Sequence, residues 1–219
     1  MIETDKLKKD PEITSQFKDF YVHEGRLLAV FKEGDPITQA QNEVEMLNKL
    51  KENGIATPNP ELVDVMHDGK PKKGILMDKV PGVFVDMAKV DNVKVLTSVM
   101  QEAALGKKLD TSEMGMIKFN NSQRKGEVPL GPTHEVLKED LEKILKLATE
   151  KGIVVNDLQF MVTSTGKAVV IDPQWVGPMK EMKESEAPLI GKTYKKLDTA
   201  IKGLTPPTPK VGTTQKIKN

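Results

Sequence analysis

VVNDLQFMVTSTGKAVVIDP, residues 154–173, is the stretch from which the fold can be read. Two short apolar runs, FMV and AVVI, flank the turn Ser164-Thr165-Gly166-Lys167, and IVV precedes a short polar loop. Short runs rich in β-branched residues and bounded by turn residues form strands. A strand–turn–strand unit returns the chain on itself. Asp157 and Asp172, fifteen positions apart, each follow an apolar strand, so the hairpin can bring both carboxylates to one cleft. Paired carboxylates at strand ends suit Mg2+, a hard cation that takes oxygen ligands and shares them with substrate phosphates. Either aspartate alone reads as a turn or capping residue; the combination carries the weight.

Upstream, FKDFYVHEGRLLAVFKE (residues 17–33) reads as strand, turn, strand, with Glu24-Gly25 at the turn. Asp35 is a good N-cap and Pro36 sits at the first helical position. The helix they start runs to about Asn53 and stops at Gly54. At ~100° per residue, Ile37, Ala40, Val44, Met46, Leu47 and Leu50 fall on one side. Gln41, Asn42, Glu45, Asn48, Lys49 and Glu52 fall on the other. Glu43 lies inside the apolar arc, whereas Glu45 points to solvent. A carboxylate on a core-facing surface is costly unless paired. The natural partner is a lysine of the preceding strand, and Lys32 closes the run LLAVFK eleven positions earlier. In the plainer alternative Glu43 lies at the edge of the stripe and reaches water.

After the helix come a Pro-rich connection, IATPNP, and a hairpin of ELVDVM and GILMDKV turning at His67-Asp68-Gly69-Lys70. Pro81-Gly82 breaks the pattern and is the expected hinge between two lobes. A helix is expected over about Asn92 to Leu109, then an irregular segment rich in Gly, Asn, Ser and Pro to Thr133. HEVLKEDLEKILKLATEK repeats apolar residues at helical spacing and ends at Gly152. A final helix is expected from Leu189 to Ile201. The division that follows is residues 1–80 as an upper lobe, 81–204 as a lower lobe and 205–219 as a disordered tail.

The order strand-Lys, helix-Glu, hairpin, hinge, long helix, DL-hairpin-ID resembles that of the protein-kinase-like superfamily. The resemblance implies an α+β fold of minimal bilobal type. Its N-lobe would be an antiparallel sheet with one helix, its C-lobe reduced and mostly helical. NEVEMLNKLKENGIATPNPELV (residues 42–63) is similar to the matching segment of RIO-type and small bacterial kinases, which implies Glu43 as the ion-pair glutamate and Lys32 as the lysine on the ATP phosphates. GILMDKVPG resembles the hinge strand, with Met77 near the gatekeeper position and Asp78, Lys79 and Val80 facing adenine. NDL resembles the catalytic loop, implying Asp157 as the catalytic aspartate, and VVIDP the metal-binding motif, implying Asp172 as an Mg2+ ligand. The similarity spans roughly residues 17–180.

There are departures from that pattern. No glycine-rich loop precedes Lys32. Val155-Asn156 stands where His-Arg is usual, and Val162 where the loop asparagine is expected, which leaves Gln159 as the nearest amide oxygen for a metal. Pro173-Gln174 follows the metal aspartate without Phe-Gly. Such reduction is similar to the small kinases that bacterial pathogens inject into hosts, among them a family that phosphorylates a eukaryotic heat-shock chaperone. The implied activity is ATP- and Mg2+-dependent transfer to Ser/Thr of a protein, with a host chaperone as the partner on that closer likeness. A small-molecule kinase of aminoglycoside or sugar type and a pseudokinase binding module are the alternatives.

Composition narrows the other classes. Lys plus Arg total 33 against 32 Asp plus Glu, so no whole-molecule field gathers nucleic acid or anionic membrane. Aromatic residues are 4%, too few to supply stacking platforms. With no cysteine, disulfides and thiolate chemistry are excluded, and the three histidines lack metal spacing. The charged N-terminus lacks the apolar stretch of a cleaved signal, and no run reaches the roughly 18 apolar residues of a membrane span. A soluble monomer is expected, in a bacterial cytoplasm or delivered to a host without a cleaved signal. Gly191-Lys192-Thr193 lacks the earlier P-loop glycine, since position 186 is Glu. Trp175 reads as a packing anchor, and the methionines, Met114 and Met116 among them, as core filler.

Overall fold

The computed structural model describes residues 1–13, 15–88, 92–109 and 130–205. Most of the irregular segment before Thr133, with Met114 and Met116, lies outside the described residues, as does the tail from residue 206. The fold is α+β. Its elements begin with β1 (Ile2–Glu3), β2 (Lys8–Lys9), β3 (Lys18–His23), β4 (Arg26–Phe31), α1 (Pro36–Glu52), β5 (Glu61–His67), β6 (Lys70–Met77) and β7 (Val83–Asp86). They continue with α2 (Val93–Ala104), α3 (Pro132–Lys151), β8 (Ile153–Asn156), β9 (Gln159–Val162), β10 (Ala168–Ile171), β11 (Trp175–Pro178) and α4 (Ala187–Gly203).

A six-stranded sheet of order β1-β5-β6-β4-β3-β2 forms the upper part. It is mixed, not antiparallel throughout, because β1 pairs parallel with β5. The turn at Glu24-Gly25 sets the β3–β4 register, from His23↔Arg26 to Lys18↔Phe31. Cross-strand partners share a face and neighbours along a strand alternate. One face therefore carries Leu27, Ala29, Ile75 and Met77, which pack with Ala40 of α1 and with Phe20, Phe31 and Val44. The other carries Tyr21, Leu28, Val30 and Val65, covered by Ile2 and Leu7. Asp35 caps α1 by accepting from the Ile37 and Thr38 amides. Glu43 is buried among Ala40, Leu47 and Leu50, and Glu45 is exposed, the phase set by the apolar stripe.

The lower part holds the three-stranded sheet β10-β9-β7, the pair β11-β8, and the helices α2, α3 and α4. Strand β7 directly follows Pro81-Gly82, where glycine is required: a Cβ at Gly82 would stand 2.5 Å from the Val162 carbonyl oxygen of β9. His134, fully buried, accepts from the Gly131 amide at 2.9 Å through Nδ1 and meets the Gln101 carbonyl at 2.9 Å through Nε2, tying α3 to α2. The largest core cluster joins these helices to β8–β10 and reaches up to Leu50 and Ile55. The Val170 amide of β10 donates to the Ala56 carbonyl at 2.9 Å, so the two parts are also stitched by backbone.

Candidate functional site

The hairpin β9–β10 pairs Gln159 with Ile171, and β8–β11 pairs Asn156 with Trp175. Asp157 is the link from β8 to β9, and Asp172 leaves β10 toward β11, so both aspartates emerge at one end of these strands. Each is held at positive φ, 55° for Asp157 and 48° for Asp172. A residue with a Cβ adopts that region at a cost of about 1–2 kcal/mol. Glu24, Asn59 and Asp68 share the conformation; Glu24 and Asp68 each precede a glycine in a hairpin turn that needs it, and Asn59 is a residue type that tolerates it. The two aspartates belong to no such turn, and backbone strain of this kind concentrates at functional sites.

Asp157 is held by amides. Its Oδ2 accepts from Gln159 Nε2 at 2.6 Å and from Gln174 Nε2 at 3.2 Å, while its own N–H donates to Asn156 Oδ1 at 3.0 Å. Behind it, the Tyr194 hydroxyl accepts from the Val155 amide at 2.9 Å, and burial pushes that phenol up to about 12. Gln159 thus faces Asp157 with its amide nitrogen. Gln174 was not singled out by sequence reasoning; its only signal is adjacency to Asp172-Pro173.

The lysine of the site is Lys18. Its Nζ donates to Glu43 Oε2 at 2.5 Å and to Asp172 Oδ1 at 2.5 Å, and it lies 4.8 Å from the centroid of the Phe31 ring. The side chains of Lys18 and Glu43 are 5% and 6% exposed, whereas Asp172 is 54% exposed and open to a ligand. Burial alone would pull the Lys18 pKa down; Glu43 and Asp172 more than offset it, so the ammonium titrates above an ordinary lysine. Burial pushes the Glu43 carboxyl up, against the pull of Lys18.

The pairing of Glu43 with Lys32 is therefore corrected. Lys32 Nζ donates to the Ser15 carbonyl at 2.7 Å and stands 3.9 Å from Asp19, on the sheet's far side from Glu43. The reason is alternation. Leu27, Ala29 and Phe31 face α1, so Lys32 faces away, and the β3–β4 register sets Lys18 beside Phe31 on the α1 side. The two-residue turn at Glu24-Gly25 was the signal from which that register could have been counted.

At the expected hinge, Met77 is buried in the α1-facing cluster. The Asp78 amide donates to the Pro58 carbonyl at 2.7 Å, and its carboxylate accepts from Asn59 at 2.7 Å and lies 3.5 Å from Arg26. Lys79 bonds Asp10 at 2.7 Å and Glu12 at 2.8 Å, and Val80 is half-buried. Among the described residues, no three His, Cys, Asp or Glu side chains form a metal cage. The oxygen donors Asp172 and Asp157 nevertheless fit Mg2+, which keeps several waters and shares its coordination with phosphates instead of needing an all-protein cage. No helix among the described residues is long and apolar enough to cross a membrane.

Neither a family model nor a curated protein matches the chain. Similar solved structures include two of LicA. A crystal structure of LicA in complex with AMP is 13% identical with a TM-score of 0.36, covering 91% of this chain and 74% of that one. A structure of the choline kinase LicA from Streptococcus pneumoniae is 14% identical with a TM-score of 0.33, covering 91% and 75%. At these values the likeness carries no inference about chemistry, which rests on Lys18, Glu43, Asp157 and Asp172 themselves.

Proposed function

We propose that the chain is an ATP- and Mg2+-dependent phosphotransferase of protein-kinase-like fold acting on an alcohol. The observation that carries this reading is the buried Lys18, bonded at once to Glu43 of the upper helix and to the exposed Asp172 of the lower hairpin. A lysine held between two lobes by a buried glutamate can turn from Asp172 to a phosphate oxygen without leaving Glu43. Mg2+, held by Asp172 with Asp157 near, would neutralise charge on the phosphates. Asp157, fixed by Gln159 and Gln174, orients the acceptor hydroxyl and takes its proton. The acceptor oxygen–Pγ bond forms as the bond from Pγ to the β-phosphate oxygen breaks, and ADP leaves. Positioning and electrostatics supply most of the acceleration. Met77 to Val80 would border the adenine.

The resemblance to minimal bacterial effector kinases extends this to protein Ser/Thr, with a host chaperone as the partner. The geometry itself asks only for an alcohol, so a small-molecule acceptor meets it equally. Incubation with γ-labelled ATP and Mg2+ separates these readings, with a protein extract in one arm and choline, sugars and aminoglycosides in the other. Label in protein supports the Ser/Thr reading, and label in a small alcohol supports the alternative; Asp172→Ala should abolish either. Nucleotide binding without transfer would make the chain a binding module, and neither binding nor transfer would sink the proposal.

A further inference from the structure

Residues 10–13 and 15–17, before Lys18, have no part in the chemistry above, yet Ile13 packs against the apolar cluster on the face that carries Lys18. The sheet face carrying Leu27, Ala29 and Met77 also carries Lys18, which reaches Asp172, so this face looks onto the lower hairpin. Ile13 packs on that same cluster. At one end of the segment Lys79, just beyond β6, holds Asp10 and Glu12. The Asp10 carboxylate is fully enclosed, and it also accepts from the Glu12 amide at 2.9 Å. At the other end Ser15 Oγ accepts from the amides of Phe17 (3.1 Å) and Lys18 (3.3 Å), and Lys32 holds the Ser15 carbonyl. Residues 10–13, the strap, are thus latched by Lys79 beside the apolar surface on which Ile13 packs, while residues 15–17 are held separately.

We propose that the strap, with Ile13 as its plug, occupies the surface a purine base would take, latched by Lys79 on Asp10 and Glu12, and must swing off before a nucleotide docks. This rests on the nucleotide-site reading above and adds regulation to it. A flat base needs an apolar face to lie against, and the cluster of Leu27, Ala29, Ala40, Ile75 and Met77, on which Ile13 packs, offers one. A ligand that binds only the open form has its affinity reduced by the open fraction. If about one molecule in ten is open, releasing the latch raises affinity up to about tenfold.

The test is titration of a fluorescent ATP analogue, with Mg2+, into the full chain and two variants. Asp10→Asn/Glu12→Gln weakens the latch, and Ile13→Ser weakens the plug while leaving the ion pairs. Both should bind at least about three-fold more tightly than wild type, and nucleotide should speed amide exchange across residues 10–13. Binding by the variants where wild type shows none would support the proposal most strongly. Unchanged or weaker affinity in both would overturn the strap while leaving the nucleotide site intact, since Ile13 would then be part of the base's own wall. No binding by any of the three proteins would overturn the nucleotide reading, and the strap with it.

Discussion

The two faces of the upper sheet are built from the same strands and do opposite things with polar groups. On the α1 side, Lys18 is buried against Glu43 and reaches down to an exposed carboxylate, Asp172. On the far side the buried polar group is His67, which meets Thr4 Oγ1 at 2.9 Å and the Tyr21 hydroxyl at 3.4 Å, with Asp19 and Asp68 at 3.7 and 3.4 Å. That cluster staples the N-terminal segment to the sheet through Thr4, and its outer carboxylate, Asp68, stands 84% exposed on the hairpin turn. The Lys18 cluster instead joins the upper sheet to the β9–β10 hairpin, through Asp172. Buried polar groups that are satisfied within their own face hold a fold together. One that bridges to another part of the chain, as Lys18 does to Asp172, is what the proposed nucleotide site is built on.

Breaking the pair on the α1 side should have the largest effect. Lys18→Ala leaves Glu43 buried and unpaired, which costs about 3–5 kcal/mol and should be seen as a lower midpoint in denaturant. The contrast sharpens with Lys18→Met/Glu43→Leu. Replacing both charges by apolar groups should return stability to within about 1 kcal/mol of wild type or above it, while nucleotide binding stays lost. A double variant as unstable as Lys18→Ala would show that shape, not charge, makes the contact.

On the far face, His67→Phe takes the ring nitrogen from the Tyr21 hydroxyl and leaves Thr4 only the Met66 carbonyl, and should cost about 1–3 kcal/mol, with nucleotide affinity unchanged. Burial holds the His67 pKa below its ordinary 6.5, more than Asp68 offsets. The folded protein therefore binds the proton less readily than the unfolded chain. The stability this confers is full above about 6.5 and is lost as pH falls toward the lowered folded value. Stability measured from pH 7.5 to 5 should fall more steeply for wild type than for His67→Phe; parallel curves would remove His67 as the cause. Lys32→Ala, on the same face and with its Nζ at the surface, should cost about 1 kcal/mol or less.

Much of this was legible in the residues. The apolar stripe of α1 and its Asp35 cap fixed the phase of Glu43, and the turn Ser164–Lys167 set Asp157 and Asp172 at one end of their strands. Less legible was which face each β4 side chain takes. Leu27 to Phe31 are apolar at every position, so alternation within that strand is silent, and Lys32 looks as good as any lysine until the register is counted from Glu24-Gly25. Strands β1 and β2 were missed for another reason: two-residue edges such as Lys8–Lys9 have no periodicity to read, and their pairing is decided by tertiary contact. The Lys79 hold on Asp10 and Glu12 spans nearly seventy positions and leaves no local trace.

In the proposed nucleotide site the lysine is Lys18, and not Lys32. Titration of a fluorescent ATP analogue with Mg2+ into Lys18→Met and Lys32→Met, under conditions where both are folded by circular dichroism, decides between the two lysines. Loss of binding in Lys18→Met with affinity within about two-fold of wild type in Lys32→Met is the predicted result. Binding kept by Lys18→Met and lost in Lys32→Met would contradict it.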